Sequence, residues 1–280
     1  MNNSGVEGNN QSYPSSISSD GRFVGITSYA TNLIDFDSNG PIGDAFVYDR
    51  QTDTIQLISS NGGIQGNQFS GQPILSSNGR YVAFSSDASN LVPNDTNGVR
   101  DVFVYDRQTN TIERISLGGF GVESNGDSFS ANLSYSGNYV TFVSDASNLV
   151  PNDTNGVRDV FVYDRNTHII ERVSLNNSGV EGNNDSVKPS ISSNGRYVAF
   201  SSDASNLVPN DTNGVRDVFV YDRTTNLIQK ISTNQSGLFG NAESSGAMIS
   251  SNGQHVVFES IATNLVPNDT NEVSDISLPH

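Results

Sequence analysis

The segment Asp95-Thr96-Asn97-Gly98-Val99-Arg100-Asp101 sets oxygen-bearing side chains on alternate residues around a glycine. Hard divalent cations such as calcium are held this way, by several oxygens along a loop that turns sharply at a glycine. The same pattern recurs at Asp153, Asn155 and Asp159, and again at Asp211, Asn213 and Asp217. A variant near the start reads Asp35, Asp37, Asn39, Gly40, with Asp44 displaced by one inserted residue. With Gly98 in the sixth place of an EF-hand-like loop, Asp95, Asn97 and Asp101 fall at places three, five and nine. Pro93 and Val104 fall at one and twelve and supply no side-chain oxygen, so water or the connector acids Glu123, Asp127, Glu181 and Asp185 must complete the shell. In a fifth copy Glu272 replaces the glycine. Calcium held by so few charges would bind weakly, at ~10⁻⁴–10⁻³ M. The competing reading is that these residues are turn formers whose side chains accept backbone N–H groups. The sequence leaves both open.

Other chemistry has little to work with. There is no cysteine, hence no disulfide framework, thiolate metal site or cysteine nucleophile. His168, His255 and His280 stand at unrelated places, and neither HExxH nor G-x-S-x-G occurs. The reading is therefore of a protein that is not an enzyme. A net charge of −16 disfavours nucleic acid and anionic membranes and suits cations. No run approaches the ~20 apolar residues of a membrane-crossing helix, so membrane insertion is not expected. Asn94-Asp95-Thr96 fits a glycosylation sequon, but loops rich in Asn and Thr generate such triplets freely.

The loops belong to a repeat. Ser85–Arg107 returns unchanged at Ser201–Arg223 and with one change at Val143–Arg165. Gly21, Gly79, Gly137, Gly195 and Gly253 are each 58 residues apart. The repeats divide as 1–59, 60–116, 117–174, 175–232 and a truncated 233–280, read as one domain spanning 1–280. Within one repeat, Gln72–Ser77 and Arg80–Ser86 read as strands joined at Asn78-Gly79, a pair suited to a two-residue type I′ turn. Asp101–Asp106 and Thr111–Ser116 read as the third and fourth strands, joined through Gln108–Asn110. Val102–Tyr105 is apolar on both faces, as a doubly covered strand should be, whereas the fourth strand alternates like a half-exposed edge. The pattern predicts an all-β chain: a β-propeller of about five four-stranded blades around one axis, the last incomplete. Blade five should hold its first two strands and a stub of the third, leaving an open sheet edge. In each meander the two tight turns share one end. The long loop Asp87–Arg100 and the connector Leu117–Asp127 share the other, which makes that end the expected binding surface.

Ser76-Ser77-Asn78-Gly79-Arg80-Tyr81-Val82-Ala83-Phe84, then Asp101-Val102-Phe103-Val104-Tyr105-Asp106, then Ile115-Ser116, resembles the TolB-type (WD-like) β-propeller repeat. The resemblance runs through all five copies. It departs where Ser or Tyr stands in place of the family's proline, and in the longer loop between second and third strands. The loop motif itself is similar to the short calcium loops of integrin-type propeller blades. The family resemblance implies a propeller that binds proteins or accompanies an enzyme, commonly in a periplasmic or extracellular setting. A fold of this kind implies no chemistry by itself. Three functions remain open: a binding module for a protein or glycan, with or without calcium; a structural stretch of a larger secreted protein; or the propeller domain of a hydrolase or peptidase. Asn2–Asn10 matches Asn176–Asn184, a mid-repeat connector, as the second alternative would have it.

Overall fold

The computed structural model describes residues 1–267, 269–271 and 273–277. Glu272 and His280, singled out above, lie outside them. The chain divides into two compact units, Met1–Val140 and Thr141–His280.

In the first unit, β1 (Ser12–Ile17), β2 (Phe23–Ser28), β3 (Asp44–Asp49) and β4 (Thr54–Leu57) form an antiparallel meander in chain order. A short hairpin, β5 (Ser60–Asn61) with β6 (Ile64–Gln65), leads to the second meander. That meander comprises β7 (Ser70–Leu75), β8 (Tyr81–Ser86), β9 (Asp101–Asp106) and β10 (Thr111–Arg114). The third repeat supplies β11 (Ser128–Leu133), β12 (Tyr139–Ser144), β13 (Asp159–Asp164) and β14 (Ile169–Arg172), and the division between units falls within β12. In the second unit follow β15 (Ser186–Ile191), β16 (Tyr197–Ser202), β17 (Asp217–Asp222) and β18 (Leu227–Lys230). The fifth repeat gives β19 (Ser244–Ile249), β20 (Val256–Ser260) and β21 (Asp275–Ser277), the last being the stub expected from the sequence. The only helical turn among the described residues is 3₁₀, at Gly119–Gly121.

Sheets pack on sheets within each unit. β7 lies against β1, β2 and β3, and β11 against β7, β8 and β9; in the second unit β19 lies against β15, β16 and β17. Val102 and Phe103 are buried, and Phe84 and Phe103 face each other across β8 and β9 with ring centroids 5.8 Å apart. Phe200 and Phe219 repeat the pair at 6.0 Å. Such buried cross-strand aromatic pairs are what the doubly apolar strands of the sequence exist to form.

Two local expectations are corrected. The turn at Asn78-Gly79 is not type I′, because only Gly79 has positive φ (69°). The Gly79 N–H bonds Ser76 O, the Ser76 N–H bonds Tyr81 O, and Asn78 Oδ1 accepts from Arg80 N. Four residues therefore close the hairpin, and β7 ends at Leu75 rather than at Ser77. It also begins earlier and bulges, with Gln72 held at φ 56° while its N–H bonds Thr27 Oγ1. The fourth strand stops at Arg114 because the Ile115 N–H turns to Val102 O and Ser116 Oγ bonds Asp101. Beside this end, Asp106 is gripped by Arg80 at 3.0 and 2.7 Å, and Arg107 lies 4.2 Å over the Phe23 ring.

Candidate functional site

The long loops carry the residues assigned to calcium, and in each repeat the loop is tied to the fourth strand. Arg114, near the end of β10, has its Nη1 3.0 Å from Asp95, 3.2 Å from Asp101 and 2.9 Å from Glu123. Its side chain is 7% exposed. Asn97 Nδ2 donates to Asp101 at 3.1 Å, and Glu123 accepts from both the backbone N–H and the hydroxyl of Thr96. Repeat three reproduces this cluster. Arg172 lies 3.1, 3.0 and 2.9 Å from Asp153, Asp159 and Glu181, and Asn155 donates to Asp159. In repeat four the cation is Lys230, 3.0 Å from Asp211 and 2.6 Å from Asp217, with Asn213 again on the second acid. There Phe239 replaces the glutamate, and Lys230 Nζ sits 4.0 Å from its ring centroid.

Repeat one uses no cation. Leu57 stands where Arg114 stands in repeat two, and Gln65 where Glu123 stands. Gln65 Nε2 donates to Asp37 (3.1 Å), Asn39 (3.0 Å) and Asp44 (2.7 Å). Asp37 Oδ1 also accepts the N–H groups of Asn39 and Gly40, the turn-forming role set beside the metal reading. Asp35 lies exposed, and no hydrogen bond or ion pair ties it to the others.

Proton affinities follow from this enclosure. Burial pushes Asp44 up to about 6, against the hydrogen bonds from Gln65 and Ser59. Burial likewise raises Asp95 and Asp211, and takes Asp153 to about 6 although Arg172 opposes it. Glu123 moves the other way, to about 2, because the Thr96 hydroxyl and N–H favour its charged form.

Repeats two to four thus hold an internal cation at the point where the motif alone would place calcium. Among the described residues no group of three or more His, Cys, Asp or Glu side chains is arranged to hold a metal. The connector acids do reach the loops: Glu123 and Glu181 through the cations, Asp127 and Asp185 by accepting the N–H of Arg100 and Arg158. Arg114, Arg172 and Lys230 were not singled out by the sequence reading. The available signal was a basic residue at one inward place of an otherwise alternating strand. His168 occupies a turn, its Nδ1 2.8 Å from the Tyr163 hydroxyl, and His255 is exposed.

The meanders, their stacking and the long-loop end define a β-propeller with about five blades. It resembles TolB-like propellers, and the likeness to solved structures is one of fold. TolB from Acinetobacter baumannii superposes with a TM-score of 0.53 at 17% identity, over 97% of this chain and 55% of that one. The β-propeller domain of the Trilobed protease from Pyrococcus furiosus gives 0.58 at 12%, over 98% and 69%. An oligogalacturonate lyase in complex with manganese gives 0.56 at 13%, over 98% and 66%. No protein-family model matches the sequence, and no curated protein matches it. No helix of the described residues is long and apolar enough to cross a membrane.

Proposed function

We propose that this chain is a non-catalytic module that binds another protein through the long-loop end of its blades. The observation that carries the reading is the contrast between the two ends. One end has only tight turns, closed by Arg22–Asp49, Arg80–Asp106 and Arg196–Asp222. The other carries long loops, which in repeats one to four are fastened from within by a buried cluster, so that binding would cost little ordering entropy. Near-copies of one loop set suit multivalent contact better than an asymmetric active site. Calcium, in this reading, would have to displace Arg114, Arg172 or Lys230 in repeats two to four. A second reading, a propeller domain within a larger hydrolase or peptidase, draws support from the limited share of the similar chains that this one spans.

The test is photo-crosslinking in extract of the producing organism. A benzophenone amino acid at Asn94 or Asn152, on the long loops, should trap a discrete partner, whereas one at Gln108 or Asn166, on the tight turns, should not. Trapping from the turn positions alone would overturn the reading.

A further inference from the structure

Arginine follows the third strand in repeats one to four, as Arg50, Arg107, Arg165 and Arg223. In the first unit Arg107 reaches back to the preceding repeat, donating from Nε to Gln56 Oε1 on β4 at 2.9 Å and from Nη1 to Gly79 O at 2.8 Å. Its guanidinium lies 4.2 Å from the Phe23 ring centroid, a ring that Arg22 also approaches, at 4.7 Å. In the second unit Arg223 makes the same two bonds, to Glu171 on β14 and to Gly195 O. Two residues before the arginine stands a tyrosine. Tyr105 is 5% exposed and shares one buried cluster with Val47, Ile58 and Val82.

The receiving half of this arrangement is built once more between repeats four and five, wholly within the second unit. Gln229 pairs with Val220 across β18 and β17 as Gln56 pairs with Val47 across β4 and β3. The Gly253 turn closes as the Gly79 turn does, its N–H on Ser250 O and the Gln254 N–H on Asn252 Oδ1. An added Cβ would fall 2.2 Å from Tyr197 at Gly253 and 2.2 Å from Phe23 at Gly79, so ring and turn approach equally closely at both places. Arg196 holds the place of Arg22, 4.7 Å from the Tyr197 centroid. Here Gln229, Tyr197 and Gly253 line a cavity of about 760 Å³, together with Val220, Ile231 and Val256. Those last three correspond to Val47, Ile58 and Val82, the apolar company of Tyr105. Val47 and Ile58 are fully buried, whereas Val220 and Ile231 are only partly buried and Gln229 is exposed.

The wall suits a guanidinium. The Gln229 side-chain oxygen and the Gly253 carbonyl accept in two directions, and the Tyr197 ring offers a face on which the planar cation stacks. The charged groups nearby are satisfied within the chain. Asp222 holds Arg196 at 2.7 Å, and Lys230 Nζ lies 3.0 and 2.6 Å from Asp211 and Asp217. Arg172 occupies the place of Lys230 beside the seat of Arg223, bound likewise to Asp153 and Asp159, and Arg223 seats there nonetheless. Repeat five does not itself supply the aromatic residue. Ser277 and Pro279 stand where Phe103 and Tyr105 stand in repeat two, and the place of Arg107 falls beyond His280. A second copy has no such segment to spare, because its own Tyr-Asp-Arg segments end strands held inside four-stranded sheets.

We propose that this cavity is a binding site for an arginine side chain, carried by an extended segment of another polypeptide with an aromatic residue two positions before the arginine. The guanidinium meets Gln229, Gly253 O and the Tyr197 ring, and the aromatic ring packs on Val220, Ile231 and Val256. The site lies beside a tight turn rather than at the long-loop end, and it is independent of the binding proposed for that end.

The experiment is a titration of the full chain followed by its ¹³C-methyl NMR signals. The probe is an acetylated and amidated Val-Tyr-Asp-Arg peptide, with lysine or glutamine in place of the arginine as controls. The arginine peptide should saturate, shifting the methyl signals of Val220, Ile231 and Val256 but not those of Val47, Ile58 and Val82. The lysine peptide should bind at least about fivefold more weakly, since an ammonium has neither the fork nor the flat face. Gln229→Glu, which copies Glu171, should tighten arginine binding by about fivefold, and Gln229→Lys should weaken it at least as much. Both changes fall on an exposed side chain, and an unaltered unfolding midpoint shows that the fold is kept. Absence of a saturable shift, equal affinity for the arginine and glutamine peptides, or a dissociation constant that neither Gln229 variant moves overturns the proposal. Self-association of the wild type that Gln229→Lys abolishes also overturns it, in favour of a second copy as occupant.

Discussion

Replacing Arg114 by leucine should show what the buried cation is worth, because the molecule contains its own control. The change leaves Asp95, Asp101 and Glu123 facing one another without the guanidinium that now lies 2.9–3.2 Å from all three. Removing one partner of a buried ion pair costs about 3–5 kcal/mol, mainly because the remaining charges stay desolvated. Repeat one already lives without the cation: it has Leu57, and Gln65 in place of the glutamate, donating to both acids. Glu123→Gln alone should cost no more than about 1 kcal/mol, since one oxygen can still accept from the Thr96 backbone N–H and from Arg114 while the amide donates to the Thr96 hydroxyl. Adding Glu123→Gln to Arg114→Leu should then recover about 2 kcal/mol, a coupling of the size expected within one network. Urea unfolding is the suitable assay, since guanidinium would screen the charges being compared. A loss below about 1 kcal/mol for Arg114→Leu, or a double variant no more stable than the single one, would refute the reasoning.

Three further outcomes follow from the same geometry. Arg114→Leu vacates a place among three carboxylates, so ~10 mM calcium should raise its unfolding midpoint by about 3 °C, and by more than it raises the wild type; equal shifts would show that the loop does not take the ion even when the cation is gone. Asp44 has its folded pKa raised to about 6, so the native state favours the proton, and stability falls as pH rises from the unfolded carboxylate range near 4 through that value, levelling off above it. Asp44→Asn should therefore match the wild type near pH 4 and gain roughly 3 kcal/mol on it by pH 7, and a pH-independent difference would sink the assignment. Gly79 and Gly98 share positive φ (69° and 68°), but an added Cβ would fall 2.2 Å from Phe23 at the first and meet nothing within 4 Å at the second. Gly98→Ala should cost about 1 kcal/mol and Gly79→Ala ~2–4 kcal/mol; equal losses would show that backbone strain alone is at stake.

The period, the strand order and the end that carries the loops were legible in the sequence. A 58-residue repeat of apolar runs separated by turn residues can bury its strands only by stacking like sheets, so local pattern and global fold agree. Asp101–Asp106 matches β9 residue for residue, because a strand covered on both faces reads as continuous apolar sequence. The bulge at Gln72 and the four-residue turn at Gly79 were not legible, since both depend on hydrogen bonds to residues outside their own strand. The site divides along the same line. Alternate Asp and Asn residues around a glycine announce a place for positive charge, and the loop does hold one in repeats two to four. Whether that charge is an ion or a side chain depends on what the fourth strand delivers. Arg114 comes from β10, thirteen residues beyond Asp101, and Lys230 and Gln65 give the same carboxylates two other answers. A loop motif records only the ligands it contributes; the partner that neutralises them is chosen by packing, which brings residues distant in the chain to within hydrogen-bond reach.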